Sequence, residues 1–149
     1  MIEMKAPIAA VIIDPITLEI VGKGVDTSHN GIPVSHAVMN CIEDYSKSEH
    51  IKDGYICTDL WLLTTREPCP MYFSFDFDQL RNFYKFVHKR CAMAAIHSRF
   101  GCVIYGQPNV ECGALGSRYS LHLINQLNHR YRVFKHLQLK NCQDLWEKL

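Results

Sequence analysis

The chain has 149 residues, 48% of them hydrophobic, and a formal net charge of +1 at pH 7. This length and composition suit one domain, residues 1–149, with a sizeable core. The sequence has no apolar run near eighteen residues, which argues against a membrane span. The near-neutral charge lacks the electrostatic footprint of a stand-alone nucleic-acid binder, so we expect any RNA contact to need help from another chain.

The cysteines and the first residues indicate the compartment. Seven cysteines are an odd number for a disulfide framework, and residues 1–14 lack the basic region, long apolar core and cleavage site of a signal peptide. We therefore expect a reducing compartment and place the protein in the nucleus and cytoplasm.

The first third of the chain predicts a hairpin and a helix. Two β-rich runs, Ile8–Ile13 and Leu18–Gly24, flank an Asp-Pro turn signal and predict paired strands. Ser35 follows a loop-like segment and is a candidate N-cap for a helix through about Tyr45. This assignment places His36 in the first turn of that helix.

The middle of the chain predicts a strand, a helix and a second strand. The long apolar run Tyr55–Thr64 predicts a buried central strand that delivers Cys69 to one end of the sheet. Small residues over Cys91–Arg99 predict a compact helix. Cys102–Tyr105 predicts a short strand that ends at Gly106.

The last third predicts a further helix at Arg118–Leu127 and a final strand at Tyr131–Phe134, followed by a mostly helical tail that ends at Trp146. This order of elements favours an α/β sandwich with a mixed sheet. No internal repeat or low-complexity tract is evident.

His36, Cys69 and Cys91 are the candidate metal ligands. One histidine and two cysteines fill three of the four tetrahedral positions of Zn²⁺ and leave the fourth for water, which is a catalytic ligand count. Taken singly, a first-turn histidine is more often a surface or capping residue, and a Pro-Cys-Pro sequence is more often a turn with a buried thiol. Together they follow the order of the zinc-deaminase signature, His-x-Glu and then Pro-Cys-x-x-Cys, so we predict a zinc site.

The signature is broken first at Val38, which stands where zinc deaminases carry their general acid and base. Deamination needs a side chain that moves a proton from the attacking water to the leaving ammonia, and an isopropyl group cannot titrate. Glu67, next to the cysteine motif, has an expected structural role, and Glu43 and Asp44 have the expected role of solvated face residues. We predict no catalytic residue, because such a proton shuttle is worth roughly 10² to 10⁴ in rate.

The second break is a nineteen-residue interruption, Tyr72–Arg90, which contains seven of the sixteen aromatic residues and no glycine, alanine or proline. Its removal joins Met71 to Cys91 and restores the Pro-Cys-x-x-Cys spacing. One interpretation is a retained intron of 57 nucleotides, since the codons permit in-frame splice sites. The other is a genuine insertion, whose apolar residues follow helical spacing up to Cys91.

A basic cluster near the end of the chain has two possible roles. Its members are His129, Arg130, Arg132, Lys135 and Lys140. The cluster either contacts phosphate or forms a solvated face, which is the more common role of charges at this density.

Six segments resemble the non-catalytic subunit of the eukaryotic tRNA wobble-adenosine deaminase. They are His36–Met39, Thr64–Met71, Cys91–Arg99, Val103–Gly106, Gly113–His122 and Leu127–Phe134. The resemblance spans most of the chain outside the interruption. Valine at position 38 is the feature that distinguishes this subunit from catalytic relatives.

The resemblance implies a cytidine-deaminase-like fold, a three-layer α/β/α sandwich with a mixed five-stranded sheet. It implies Zn²⁺ and a heterodimer in which a catalytic subunit converts the wobble adenosine of tRNA anticodons to inosine, with tRNA bound through the complex and no membrane. We expect the preceding RNA-binding region and first helix of that subunit to be missing. Two alternatives are an active zinc nucleoside or RNA deaminase with a displaced carboxylate and a non-functional truncated isoform.

Overall fold

A mixed five-stranded sheet forms the centre of the computed structural model, which describes residues 8–28, 35–51, 57–70, 91–138 and 140–142. The strands are β1 (Ala9–Ile13), β2 (Ile20–Val25), β3 (Trp61–Arg66), β4 (Cys102–Gln107) and β5 (Arg132–Phe134). The helices are α1 (Ala37–Ser46), α2 (Cys91–His97) and a short 3₁₀ turn, Leu121–Leu123.

The order of strands in the sheet is β2-β1-β3-β4-β5. β1 pairs antiparallel with β2 and β3, whereas β3, β4 and β5 run parallel. The predicted hairpin is confirmed, with an irregularity in its register between Ile12 and Ile13. The predicted central strand is also confirmed, because β3 lies in the middle of the sheet and its Leu62 is fully buried.

One face of the sheet is covered by α1, which also contacts α2. Ile12, Leu62 and Val103 lie side by side on this face and are fully buried. The helix approaches closely because β2 has glycine at position 24, where a Cβ would collide with the backbone of Ala37. This close packing sets the distance between the first turn of α1 and the sheet.

The other face carries a row of apolar side chains that are only partly buried by the described residues. Val11, Leu63 and Ile104 are aligned across three strands, and Ile13 is opposite Trp61 in the next row. After β5 the chain crosses to this side, where the buried Cys142 lies against Gly106 at a position that a Cβ would occupy.

Two predicted strand boundaries were wrong. The strand predicted from Tyr55 begins at Trp61, because the turn at Cys57–Asp59 is held by the end of α2: the Cys57 and Asp59 amides donate to Ser98 and Arg99 carbonyls at 3.0 and 3.2 Å. β4 continues through Gly106 to Gln107 in register with Arg66, instead of ending at Gly106. Residues 52–56 lie outside the described ranges.

The helix predicted over Arg118–Leu127 was wrong. This stretch contains an isolated bridge between Leu115 and Ser120, the 3₁₀ turn and irregular turns. The amides of Arg118 and Tyr119 both donate to the Gly113 carbonyl, at 3.3 and 3.0 Å. These bonds fold the segment back on the preceding loop, which prevents a continuous helical ladder from forming.

The predictions for α2 and β5 are confirmed, with helix and strand at Cys91–His97 and Arg132–Phe134. Helical backbone is also present at 140–142, but the rest of the predicted tail, 143–149, lies outside the described residues. The interruption Tyr72–Arg90 lies outside them as well. Within the described ranges, no helix has the length and apolar character needed to cross a membrane.

Candidate metal centre

His36 is the N-cap residue of α1, directly before the first helical residue. It has extended backbone angles, φ −72° and ψ 154°, and its carbonyl accepts the Asn40 amide at 2.9 Å. The helical residues start at Ala37, so the prediction that Ser35 is the N-cap was wrong. Ser35 instead belongs to the preceding loop, since its carbonyl accepts the Thr27 amide at 2.9 Å.

The side chain of Asn40 holds that loop in place. Its amide nitrogen lies 2.7 Å from the Val25 carbonyl, 3.1 Å from the Thr27 hydroxyl and 3.1 Å from the Ser35 carbonyl. One side chain on α1 therefore joins the end of β2 to the residue before His36. No pattern in the sequence indicates this role, because a mid-helix asparagine is usually interpreted as a weak helix former.

The two cysteines meet at the start of α2. Cys69 follows the carboxyl end of β3, and Cys91 is the first residue of the helix. The Ala92 amide donates to the Cys69 carbonyl at 2.9 Å. If Tyr72–Arg90 is removed from the count, Ala92 becomes the fourth residue after Cys69, which is the separation of an α-helical hydrogen bond. Cys69 therefore accepts the hydrogen bond that closes the first turn of α2, although the interruption separates the two residues in sequence.

The three candidate ligands come together as predicted. The His36 Nδ1 atom lies 3.7 Å from Cys69 Sγ and 3.4 Å from Cys91 Sγ, and all three ligand atoms lie within 4.8 Å of one another. Tetrahedral zinc, with bonds of about 2.0 Å to nitrogen and 2.3 Å to sulfur, separates such ligands by roughly 3.5 Å. The donor set and its spacing therefore fit Zn²⁺.

The thiols are electrostatically unequal. A hydrogen bond from the Cys91 thiol, opposed by burial and assisted by His36, lowers the pKa of Cys69 to about 5. The same bond, burial and the neighbouring thiolate raise the pKa of Cys91, and the carboxylate of Asp26 adds to this effect. The fold therefore stabilises one thiolate at Cys69, and a divalent cation would supply the charge needed to deprotonate the second thiol.

No carboxylate joins this group of ligand atoms within the described part of the chain. Val38, two residues after His36, is 3% exposed and belongs to the hydrophobic core. Glu43 forms an ion pair with Lys47 at 2.6 Å, and Asp44 accepts the Lys23 amide at 2.9 Å. The geometry can hold a metal, and neither Val38 nor the carboxylates of Glu43 and Asp44 join the group of candidate ligand atoms.

Glu67 has the structural role that the sequence predicted, and the structure shows its partners. Its buried carboxylate accepts the amides of Asn109, Leu115 and Ser117 at 2.9, 2.8 and 3.1 Å, and also the Ser117 hydroxyl. The loop held in this way returns to the metal centre, where the Ala114 amide donates to the Pro68 carbonyl at 3.0 Å. These four hydrogen bonds tie the Glu67 carboxylate to the loop.

The sequence of this site identifies its family. Residues 2–107 match the family described as the cytidine and deoxycytidylate deaminase zinc-binding region. The chain belongs to this family. The matched range includes the candidate ligands His36, Cys69 and Cys91, which therefore lie within the zinc-binding region of this family.

Relatives of this chain include proteins whose names refer to tRNA-specific adenosine deaminases. A Danio rerio protein named probable inactive tRNA-specific adenosine deaminase-like protein 3 is 36% identical, over 93% of this chain and 43% of the relative. The tRNA-specific adenosine deaminase subunit tad3 of Schizosaccharomyces pombe is 32% identical, over 85% of this chain and 37% of the relative. The chain therefore spans less than half the length of these curated relatives.

The deaminase fold is also found by structural comparison. A structure solved in studies of A-to-I editing by tRNA:A34 deaminases has a TM-score of 0.68 and 17% sequence identity. The superposition covers 93% of this chain and 83% of that chain. At this identity the comparison supports the fold, including the mixed five-stranded sheet that the sequence predicted.

Proposed function

We propose that this chain belongs to a non-catalytic, zinc-binding subunit that supports the conversion of wobble adenosine to inosine in tRNA anticodons. Val38 is the observation that carries this proposal. It stands two residues after the candidate ligand His36, at the position of the deaminase glutamate, and it is buried in the core. A domain that keeps the metal ligands and loses the proton shuttle is suited to a structural role.

Zinc is the proposed metal because two sulfurs and one imidazole nitrogen are its preferred donors. His36, Cys69 and Cys91 would hold the ion between the starts of α1 and α2. When bound, Zn²⁺ would supply cross-linking of three separate chain segments. Such sites contribute free energy to folding, so the metal has a function in this chain without any reaction.

The proposed partner is a catalytic deaminase subunit, and tRNA would be bound through the complex. The names of the Danio rerio and Schizosaccharomyces pombe relatives support this assignment. We place the complex in the nucleus and cytoplasm. This placement follows from the odd number of cysteines, seven, which does not suit a disulfide framework.

The enzyme alternative requires a displaced carboxylate. Glu67 does not favour it, because its carboxylate is occupied by four donors. Glu43 does not favour it either, since it is exposed and paired with Lys47. The remaining alternative, a non-functional isoform, predicts a chain that neither binds zinc nor finds a partner.

The test is to purify the chain by itself and co-expressed with a catalytic tRNA adenosine deaminase subunit, and to measure zinc content and inosine formation. We expect one zinc per chain, no activity from the isolated chain, and activity of the complex that Cys69→Ala abolishes. Cys112→Ala is the matched control, since Cys112 lies outside the cluster of ligand atoms. Inosine formation by the isolated chain, lost in Cys69→Ala, would establish the enzyme alternative instead.

A further inference from the structure

The C-terminal part of the chain carries a concentration of positive charge that the metal centre does not use. Between Glu111 and Asp144 the sequence has no aspartate or glutamate, but it has five arginines and lysines and three histidines. The cations are Arg118, Arg130, Arg132, Lys135 and Lys140. Because the whole chain has a net charge of only +1, the remainder is net negative. Charge is therefore segregated in a chain that is almost neutral overall.

A groove of about 1050 Å³ adjoins this basic segment at the amino ends of β3, β4 and β5. Arg130 and Arg132 line it with exposed side chains, and Trp61 and Phe134 line it beside them. Trp61 and Arg132 share one face of the sheet, since both pair in register with Cys102. Phe134 is 53% exposed, which is unusual for a large aromatic side chain in a strand.

The two arginines have free charge to offer a ligand. Of the described carboxylates, none lies within ion-pair distance of Arg130 or Arg132, although Asp59 also lines the groove. Among the described residues, Arg130 donates one long bond, 3.4 Å, to the Asn125 carbonyl. The loop that carries it is fixed by His129, whose Nε2 atom lies 2.7 Å from the Phe100 carbonyl. The hydrogen bond of His129 therefore holds the backbone next to Arg130 in position.

The groove lies at the opposite end of the sheet from the metal centre. Cys69 follows the carboxyl end of β3, whereas the groove begins at Trp61, the first residue of the same strand. A six-residue strand is roughly 20 Å long. A ligand in the groove is therefore held apart from the metal centre.

We propose that this groove binds RNA, with Arg130 and Arg132 on backbone phosphates and with Trp61 and Phe134 stacking on unpaired bases. Arginine and exposed aromatic side chains are the combination that binds single-stranded or looped nucleic acid. β3 and β5 are two strand spacings apart, about 10 Å, so the two aromatic rings can contact different bases. The inference rests on the proposed function and deepens it, because the RNA would be the tRNA that the complex edits.

The experiment measures binding of a fluorescently labelled RNA stem-loop by anisotropy, with the chain by itself and in complex with a catalytic subunit. The variant is Arg130→Ala with Arg132→Ala, and the matched control is Lys23→Ala with Lys47→Ala, two exposed cations outside the groove. We expect the arginine variant to bind roughly tenfold more weakly at physiological salt. The slope of log Kd against log salt should fall by about one for each phosphate that the variant no longer neutralises.

Phe134→Ala separates stacking from charge. We expect it to weaken binding several-fold with an unchanged salt slope, because it removes no cation. Zinc content and the melting temperature of each variant show that the fold is intact.

Equal affinities for the arginine variant and the unmodified chain would overturn the proposal, and so would an equal loss of affinity in the lysine control. Either result would leave the arginines as charges that protect the edge strand β5 from pairing. Binding is read directly, without deamination. Its failure is therefore distinguishable from failure of the proposed function, which is read as zinc content and inosine formation.

Discussion

At the scale of single residues, the candidate metal centre depends on two side chains at the starts of helices and one after a strand. His36 precedes α1, Cys91 begins α2, and Cys69 follows β3. Placement of the ligands therefore follows from where the elements begin and end.

Loss of one ligand should remove the metal. We expect Cys69→Ala to lower zinc content from one per chain to near zero, while Cys112→Ala keeps it. A ligand present at 100 times its Kd stabilises the folded state by about 2.7 kcal/mol. A chelator should therefore lower the melting temperature of the unmodified chain and leave that of Cys69→Ala unchanged. Equal shifts in both proteins would contradict a zinc site at Cys69.

Loss of the Glu67 charge should destabilise the fold. In Glu67→Gln the new amide group faces three backbone N–H donors, so at least one buried donor loses its acceptor. We expect the free energy of unfolding to fall by about 1–3 kcal/mol, measured by urea denaturation. Glu43→Gln is the control and should have little effect, because that side chain is exposed on α1. An unchanged midpoint for Glu67→Gln would rule out this role.

At the scale of elements, α1 is the part that brings histidine to the cysteines. The absence of a side chain at Gly24 lets the helix lie against β2, and Asn40 ties the loop before the helix to the end of that strand. The position of His36 is thus set by packing against the hairpin and by one amide group. Both contacts come from parts of the chain that contribute no metal ligand.

Asn40→Ala should weaken metal binding without removing a ligand. The variant frees the Ser35 carbonyl from one of its three donors and loosens the backbone before His36. Partners that orient a ligand are typically worth 10–100-fold in metal affinity, and we expect roughly tenfold here by competition with a zinc indicator. Asn125→Ala, at an exposed turn, should bind zinc normally. Unaltered affinity of the Asn40 variant would mean that the loop is held by other contacts.

At the scale of the whole molecule, the centre joins segments that are distant in sequence. His36 and Cys91 are 55 residues apart, and the Ala92 amide closes the first turn of α2 on Cys69. The three candidate ligands all belong to the described residues on either side of Tyr72–Arg90, so their assignment is the same whether that segment is an insertion or a retained intron.

Deletion of Tyr72–Arg90 should therefore preserve the centre. The shortened chain has Cys69 and Cys91 three positions apart, and the hydrogen bond from Ala92 to Cys69 becomes an ordinary helical one. We expect one zinc per chain and a melting temperature at least as high as that of the full chain, because the closed loop is shorter. Loss of zinc on deletion would show that the interruption is required for the site.

Much of the fold was predictable because its signals are local. The hairpin, the central strand, α2 and β5 follow from β-rich runs, turn residues and small helix formers in contiguous stretches. The segment Arg118–Leu127 was not predictable in this way. Its backbone groups are engaged by Gly113 and the loop that Glu67 organises, and a pattern within ten residues carries no information on such partners.

The sequence by itself determined the residue types of this site, a histidine and two cysteines as candidate ligands and a valine in place of a titratable group, and it predicted the five strands and the helices α1 and α2. The tertiary structure decided where α1 begins, which donors engage Glu67, and that the candidate ligand atoms lie within 4.8 Å across the interruption. The physical reason is that residue types fix what can be bound or titrated, whereas distances depend on packing and hydrogen bonds between distant segments.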